Sequence, residues 1–242
     1  MEIEQYLWGA SPEGEGILLY VLRCPGGPEV RITNAGAAVT GIFVPGTGGA
    51  AEPLTPVFET PEALSADCSD RGRTLCGNIY GFGRRIWESR VETNRVVMES
   101  APGERGEPAM AVLFDLEDDG QFVVTHLARG AAPMPFAMTT QLFWQGEWRP
   151  EVRTAAEESV WEEIEPDEGR FYPVAGWKPR ILGAAARLHH AASGRTVEIL
   201  SSYPEIRIVR DGDSLSVLCG ESRPAPLAAD GIYCHKTVYR FI

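Results

Sequence analysis

The sequence has little of what several large classes of protein require. No run approaches the roughly 20 apolar residues that a membrane-spanning helix needs. Basic residues are also few, with 22 Lys and Arg against 34 Asp and Glu, and the net charge is −12. Nucleic acids and anionic membranes attract basic surfaces. We therefore expect neither nucleic acid nor membrane as a partner, and an acidic surface that keeps the chain in solution.

Metal and disulfide patterns are missing as well. The chain has five cysteines: Cys24, Cys68, Cys76, Cys219 and Cys234. None has C-x-x-C spacing or a histidine at metal-finger spacing, and the adjacent His189 and His190 point to opposite faces of a strand, so they cannot chelate one metal together. The sequence therefore predicts no metal and no cofactor. The odd number of cysteines, and a start without a secretory leader, predict reduced thiols in the cytoplasm.

Helical periodicity is nearly absent, and short strand-forming runs recur between turns rich in Gly, Pro and Asp-Gly. Two hairpins are predicted, one turning at residues 93–94 and one at residues 118–120. The predicted strands are residues 17–24, 29–33, 38–44, 86–92, 95–100, 109–116, 121–128, 136–144, 160–164, 185–190, 196–200, 205–210, 214–219 and 233–241. This pattern predicts an all-β sandwich or barrel. With 242 residues, 44% of them hydrophobic, we expect a single domain over residues 1–242.

Three stretches lack strand patterns, and the shortest, residues 101–107, is expected to be a polar hairpin tip. Residues 46–74 are rich in Pro, Gly, Ala and acidic side chains. Structureless connections of this length are uncommon in compact domains, so we expect a functional lid or a mobile loop there. Residues 146–158 mix tryptophan, arginine, proline and acidic residues, and we expect them to run over the surface.

Four segments, spread over most of the chain, carry recognisable motifs. Residues 29–37 read EVRITNAGA, and residues 75–88 read LCGNIYGFGRRIWE. Residues 186–195 read ARLHHAASGR, and residues 237–241 read TVYRF. In this order they resemble the first sheet, the L-H-G-G-x-x-G-F-D-K-R-x-W segment, the A-x-L-x-x-x-x-S-G-R hairpin and the final strand of the galactose mutarotase (aldose 1-epimerase) family. The resemblance implies a large antiparallel β-sandwich (supersandwich) of galactose mutarotase type.

The same resemblance implies chemistry that opens and recloses a hexose ring. In the family a carboxylate takes the proton from the anomeric hydroxyl while a histidine protonates the ring oxygen. Both family histidines are replaced here, the first by Cys76, or by Tyr80 in the alignment with shorter relatives, and the second by Thr140. The family's aspartate falls within residues 176–184, which contain no Asp or Glu. The family's glutamate base corresponds to Glu221, which follows a predicted strand and precedes a Pro-rich loop.

Three residues are therefore candidate catalytic groups: Glu221 as the base, and Tyr80 or Cys76 as the acid. Each has a structural alternative. Glu221 would then be a solvated residue at a strand end, Tyr80 an aromatic packed at the mouth of the sandwich, and Cys76 a small, inert core residue.

Five residues are candidates for substrate binding. Arg84 and Arg85 lie at a strand start, where alternation would point one of them into the concave face to bind a carboxylate, a phosphate or a hydroxyl-rich substrate. Thr140, Gln141 and Trp144 lie on the segment that resembles the family's active-site strand. We expect Gln141 and Trp144 to line the cleft.

Three further residues carry weaker signals. Trp148 and Trp177 lie near predicted loops, where they would stack on a sugar ring or cover the edge of the core. His235 lies two residues before the matched final strand, and we expect it to be structural.

The first functional hypothesis is a repurposed enzyme. It would use acid–base proton transfer, in an isomerisation, cyclisation or elimination, on a small cyclic or sugar-like substrate. One alternative is a carbohydrate-binding module without catalysis, and another is a divergent true aldose 1-epimerase. Because neither family histidine position holds a histidine, ordinary mutarotation is predicted to be absent or feeble.

Overall fold

The structure, a computed structural model, describes residues 1–46, 48–70, 85–102, 107–130, 134–153, 160–167 and 169–242. These residues contain twenty β-strands and one α-helix. In chain order the elements are β1 (Glu2–Ala10), β2 (Gly16–Arg23), β3 (Glu29–Thr33), β4 (Ala38–Pro45), β5 (Ala51–Pro53), α1 (Pro61–Asp70), β6 (Glu88–Glu92), β7 (Arg95–Ser100), β8 (Ala109–Leu116), β9 (Phe122–Arg129), β10 (Met134–Pro135), β11 (Gln141–Gln145), β12 (Trp148–Arg153), β13 (Trp161–Glu163), β14 (Phe171–Pro173), β15 (Gly183–His190), β16 (Thr196–Ser201), β17 (Glu205–Asp211), β18 (Ser214–Gly220), β19 (Pro226–Leu227) and β20 (Ile232–Phe241).

The strands assemble into antiparallel sheets. The first sheet is a five-stranded meander in the order β1-β2-β3-β4-β5. The largest has nine strands, in the order β13-β12-β15-β16-β20-β9-β8-β7-β6, and a third has the order β11-β18-β17-β14. Strands β10 and β19 pair with each other. The predicted large antiparallel β-sandwich is confirmed.

A continuous hydrophobic core lies between the sheets. It takes Tyr20 from the five-stranded sheet, Phe114 from the nine-stranded sheet and Ile206 from the four-stranded sheet. Alternation along the strands supplies these residues, as in β8, where every second side chain is buried. Burying one large apolar side chain contributes roughly 1.5–3 kcal/mol, so these inner faces drive the assembly of the sheets.

The predicted strands and turns are confirmed over much of the described chain. Strands β3, β7 and β8 begin and end where the sequence predicts. Both predicted hairpins form, with Glu92 paired to Arg95 and Leu116 paired to Phe122. Gly120 in the second turn has a φ of 82°, a left-handed conformation that glycine adopts without steric cost.

The prediction of a lid or mobile loop over residues 46–74 is wrong for its described part. It contains β5 and helix α1. Leu64 of α1 packs against Ala38 and Phe143, so a tertiary contact stabilises a helix whose sequence carries little periodicity. No helix in the described ranges is long and apolar enough to cross a membrane.

Two further boundaries differ from the prediction. Residues 146–158, expected on the surface, contain β12, which buries Trp148 and Val152. The strand expected over residues 136–144 begins only at Gln141. Packing against neighbouring strands outweighs local propensity at both places.

Candidate active site

A carboxylate and an imidazole meet where two sheets approach each other. Glu221 directly follows β18 of the four-stranded sheet, and His235 lies on β20 of the nine-stranded sheet. Glu221 Oε1 is 3.4 Å from His235 Nε2, and both side chains are mostly buried. We call these two residues the inner pair. It is the arrangement of an acid–base couple, in which one group takes a proton and the other gives one.

Both ring nitrogens of His235 face acceptor oxygens. Nε2 faces the Glu221 carboxylate, and Nδ1 lies 3.2 Å from the Ser202 carbonyl oxygen. An imidazolium can donate an N–H to each of these oxygens, whereas a neutral ring has only one N–H. The two acceptors orient the His235 ring, and one of them is the Glu221 carboxylate.

The environment of Glu221 favours its ionised form. The hydrogen bond from His235 lowers the pKa of Glu221 from its ordinary value, burial opposes this effect, and the Ala225 N–H adds to the lowering. That N–H donates to Glu221 Oε2 over 3.3 Å. Glu221 is thus a carboxylate near neutral pH, the form that a proton acceptor requires.

The corner between β16 and β17 anchors His235. The Ser202 N–H donates to the Lys236 carbonyl oxygen, and the Lys236 N–H donates to Ser202 Oγ, at 2.9 and 2.8 Å. The next residue, Tyr203, stacks on the His235 imidazole with ring centroids 4.2 Å apart and planes inclined by 12°. The corner thus supplies both a carbonyl acceptor and a flat aromatic support for His235.

Trp177 lies at the mouth of this site. Its indole N–H donates over 2.8 Å to the Ser202 carbonyl oxygen, the same atom that His235 Nδ1 approaches. The side chain is partly exposed. One tryptophan is therefore held beside the inner pair with ring surface available to a ligand.

A buried polar network lies behind Tyr203. Tyr203 Oη is 3.0 Å from His126 Nδ1, and His126 Nε2 is 3.1 Å from Thr140 Oγ1. The Tyr203 and Tyr233 hydroxyls both donate to the Met138 carbonyl oxygen, at 2.5 and 2.9 Å. Burial lowers the pKa of His126 to about 3, so this histidine is neutral at ordinary pH.

Among the predicted site residues, Glu221 lies in the site and Thr140 joins it through His126. Gln141 donates to Ser216 Oγ over 2.6 Å, within the four-stranded sheet. Trp144 is fully buried in the core, where it packs edge-on against Trp148. These two tryptophans lie in the core and have almost no surface to offer a ligand.

Of the remaining predicted residues, Arg85 alone lies within the described part of the chain. Arg85 forms an ion pair with Glu107, with 2.5 Å between Nη2 and Oε2. Cys76, Tyr80 and Arg84 lie outside the described residues, and their roles stay predictions.

His235 is the functional candidate that the sequence prediction assigned a structural role. The signal available in the sequence was alternation along β20. Tyr233, His235, Thr237 and Tyr239 share one face of the strand, and the other three are buried. A histidine whose side chain points into the protein requires a polar partner. That partner lies on another sheet, so the sequence of β20 alone does not reveal it.

The site does not coincide with a cavity elsewhere in the described residues. A cavity of about 380 Å³ is lined by the β2–β3 and β8–β9 turns, Arg195 and Phe241. Phe241 is at the far end of β20 from His235, about 20 Å away along the strand. We place the candidate chemistry at the inner pair, because the cavity brings together no comparable acid–base couple. No group of three or more His, Cys, Asp or Glu side chains that could hold a metal occurs in the described ranges.

Comparison with known proteins agrees with the fold. No family model matches the chain. Galactose mutarotases from Pongo abelii and Sus scrofa are 27% and 28% identical over alignments of 177 residues, which cover 55% of this chain and 51% of each relative. The chain thus spans about half the length of the curated relatives it matches.

Solved structures match over nearly the whole chain. A GalM/aldose epimerase homologue from C. elegans has a TM-score of 0.73 at 15% identity, covering 93% of this chain and 98% of that one. A galactose 1-epimerase from Lactobacillus acidophilus has a TM-score of 0.67 at 11% identity, covering 100% and 98%. At these identities the solved structures show the fold, and the curated relatives add sequence similarity. The predicted galactose mutarotase type of fold is thus confirmed, and about half of the chain is also similar in sequence to galactose mutarotases.

Proposed function

We propose that this protein catalyses proton transfer on a sugar or sugar-like cyclic substrate, with Glu221 and His235 as the acid–base pair. The observation that carries the proposal is the 3.4 Å contact between these two mostly buried groups. The names of the related proteins, galactose mutarotase and galactose 1-epimerase, support an aldose as the substrate class. We further propose a single domain that acts in the cytoplasm, as an isomerase that needs no cofactor.

The inner pair contains the two groups that ring opening needs. Glu221 has contacts from His235 and Ala225, and a carboxylate offers about four lone-pair positions. It can therefore also accept a substrate hydroxyl. Transfer of that proton to Glu221 makes the carboxyl group neutral, while the His235 imidazolium can give a proton to the ring oxygen and become neutral. Reclosure of the ring reverses both transfers and restores the pair.

Trp177 supplies a binding surface beside these groups. The apolar face of a pyranose ring packs well against an indole, and the bond to Ser202 fixes the orientation of the indole. Tyr80 or Cys76 stays a proposed alternative acid, and Arg84 a proposed substrate-binding residue.

The position of His235 removes the reason for predicting absent or feeble mutarotation. That prediction depended on the absence of a histidine from the matched active-site segments, and His235 stands beside Glu221 instead. We now expect at least one aldose to equilibrate between anomers faster than in buffer alone.

The test is polarimetry and exchange NMR on freshly dissolved α-anomers of neutral hexoses, hexose phosphates and uronic acids. Glu221→Gln should lower the rate on the responsive sugar by about 10²–10⁴-fold, the usual contribution of a positioned acid or base. Glu151→Gln is the matched control, because Glu151 contacts a different histidine, His189, across strands β12 and β15. Equal rates for the wild type and Glu221→Gln, or no acceleration with any sugar, would count against the proposal.

The second candidate function is sugar binding without turnover. It is favoured by the satisfied state of the inner pair, since both nitrogens of His235 and both oxygens of Glu221 already have partners in the protein. Titration calorimetry separates the two functions. Saturable binding of a sugar that is not interconverted by the protein would support this second candidate.

A further inference from the structure

A second histidine lies beside His235 on the neighbouring strand of the same sheet. His126 on β9 is the cross-strand partner of His235 on β20, and it is almost completely buried. We infer that His126 is a positioning residue, which holds the Tyr203 ring against His235 and thereby orients the His235 imidazole toward Glu221. Its catalytic consequence rests on the proposed function, whereas its effect on His235 rests on the geometry alone.

The contacts of this network fit a neutral His126 ring in either tautomer. When the Tyr203 hydroxyl donates to the Met138 carbonyl oxygen, His126 Nδ1 donates to Tyr203 and Nε2 accepts the hydroxyl hydrogen of Thr140. When the Tyr203 hydroxyl donates to His126 Nδ1 instead, Nε2 donates to Thr140 and Tyr233 donates to the Met138 carbonyl oxygen. Every polar atom of His126 is satisfied by the neutral ring.

This bonding fixes the ring that supports His235. The Tyr203 hydroxyl is held by Met138 at 2.5 Å and by His126 at 3.0 Å, while the ring stacks on His235 at 4.2 Å. Tyr233 closes the other side, with its ring 4.7 Å from that of His235 in an edge-on contact. If the Tyr203 hydroxyl lost its partners, the ring could slide, and His235 would lose its flat support.

The choice of histidine at this position is otherwise hard to explain. Burying an imidazole is costly unless both nitrogens find partners, and the core around it is built from apolar side chains. A phenylalanine would fill a similar volume but would remove the hydrogen-bond partner that His126 offers to Thr140 and to Tyr203. A ring with a donor on one edge and an acceptor on the other satisfies both neighbours at once.

The first readout is the histidine ring spectrum. The chain has four histidines, so their ring signals can be assigned by single substitutions in long-range proton–nitrogen NMR. His126→Phe should shift and broaden the His235 signals. His126→Asn, which can keep a donor toward Tyr203, should recover part of the wild-type position. The control His189→Gln, on the same sheet but bonded to Glu151, should leave the His235 signals where they are.

The second readout is turnover of the responsive sugar. A displacement of a reacting group by about 1 Å can cost roughly 100-fold in rate. We expect His126→Phe to lower kcat by about 10- to 100-fold with little change in KM, and His126→Asn to restore part of it. Circular dichroism shows whether each variant is folded before these comparisons are made.

The outcomes separate this inference from the proposed function. A folded His126→Phe with unchanged His235 signals overturns the positioning role, even if Glu221→Gln abolishes turnover. If the His235 signals shift but the protein turns over no sugar, the positioning role is supported and the proposed enzymatic function is rejected. If His126→Phe does not fold, Tyr203→Phe removes only the hydroxyl and provides the same test, with unchanged His235 signals again overturning the inference.

Discussion

Two glutamate–histidine pairs in this protein invite comparison. In the inner pair, Glu221 and His235 are 3.4 Å apart, with side chains 18% and 14% exposed. Glu151 and His189, which we call the outer pair, are 3.0 Å apart, with side chains 27% and 41% exposed. Distance alone would rank the outer pair as the stronger interaction.

Burial and connectivity reverse that ranking. Water screens the charges of an exposed pair, whereas a buried pair interacts in a medium of lower dielectric constant. The outer pair joins β12 and β15, neighbouring strands of one sheet. The inner pair joins two different sheets, so its contact depends on the assembly of the whole sandwich. A glutamate–histidine contact is therefore a better candidate for acid–base chemistry when it is buried and joins two sheets than when it is merely short.

The largest difference should appear in catalysis. His235→Gln removes the proposed acid and should lower kcat/KM on the responsive aldose by about 10²–10⁴-fold. His189→Gln removes the corresponding histidine of the outer pair and should change the rate less than twofold. Anomerisation rates measured by exchange NMR provide the check. Similar losses in both variants would show that the inner pair has no special role.

The stability of the protein in acid should report on the buried surroundings of the inner pair. The pKa of His126 behind the inner pair falls from an ordinary 6.5 to about 3, mainly through burial. Below pH 6.5 this histidine binds a proton in the unfolded chain but stays neutral in the folded chain. The free energy of unfolding therefore decreases as the pH falls toward 3. We expect this histidine to lower the free energy of unfolding by about 2 kcal/mol between pH 7 and pH 5.

The measurement is the free energy of unfolding by denaturant at pH 7 and pH 5. His126→Asn should lose less stability than the wild type over this interval, because it removes the titrating group. A wild-type protein equally stable at both pH values would contradict the expected burial penalty.

The coupling within each pair should follow burial rather than distance. A double-mutant cycle with Glu221→Gln and His235→Gln should give a coupling energy of about 1.5–3 kcal/mol, as expected for a hydrogen bond to a charged group. The same cycle on Glu151 and His189 should give about 0.2–1 kcal/mol and should weaken further in high salt. Equal couplings would remove the distinction between the pairs.

The smallest expected effect concerns two tryptophans. Trp177, beside the inner pair, should contribute about 1 kcal/mol of stacking to sugar binding, so Trp177→Ala should raise Kd roughly fivefold. Trp161 is the matched control on the outer-pair side, where Arg153 and Arg187 lie over its ring at 4.9 and 4.3 Å. Calorimetry should find sugar affinity unchanged in Trp161→Ala.

Much of the fold was predictable because its signals are local. Alternation and glycine turns define β3, β7 and β8 without knowledge of their neighbours. Helix α1 and β12 were not predictable in this way, because contacts distant in sequence stabilise them. The place of Glu221 followed from a motif at the end of a strand. The roles of Cys76, Tyr80 and Arg84 stay predictions.

The sequence by itself therefore determined the class of fold, the order of most strands and one member of the candidate pair. Only the tertiary structure decided that His235 is the partner of Glu221 and that Trp144 lies in the core. The physical reason is that alternation along a strand tells which residues share a face. It does not tell which face turns inward, or which residue of another sheet stands opposite. That choice is made when the sheets pack together and each buried polar group must find its partner.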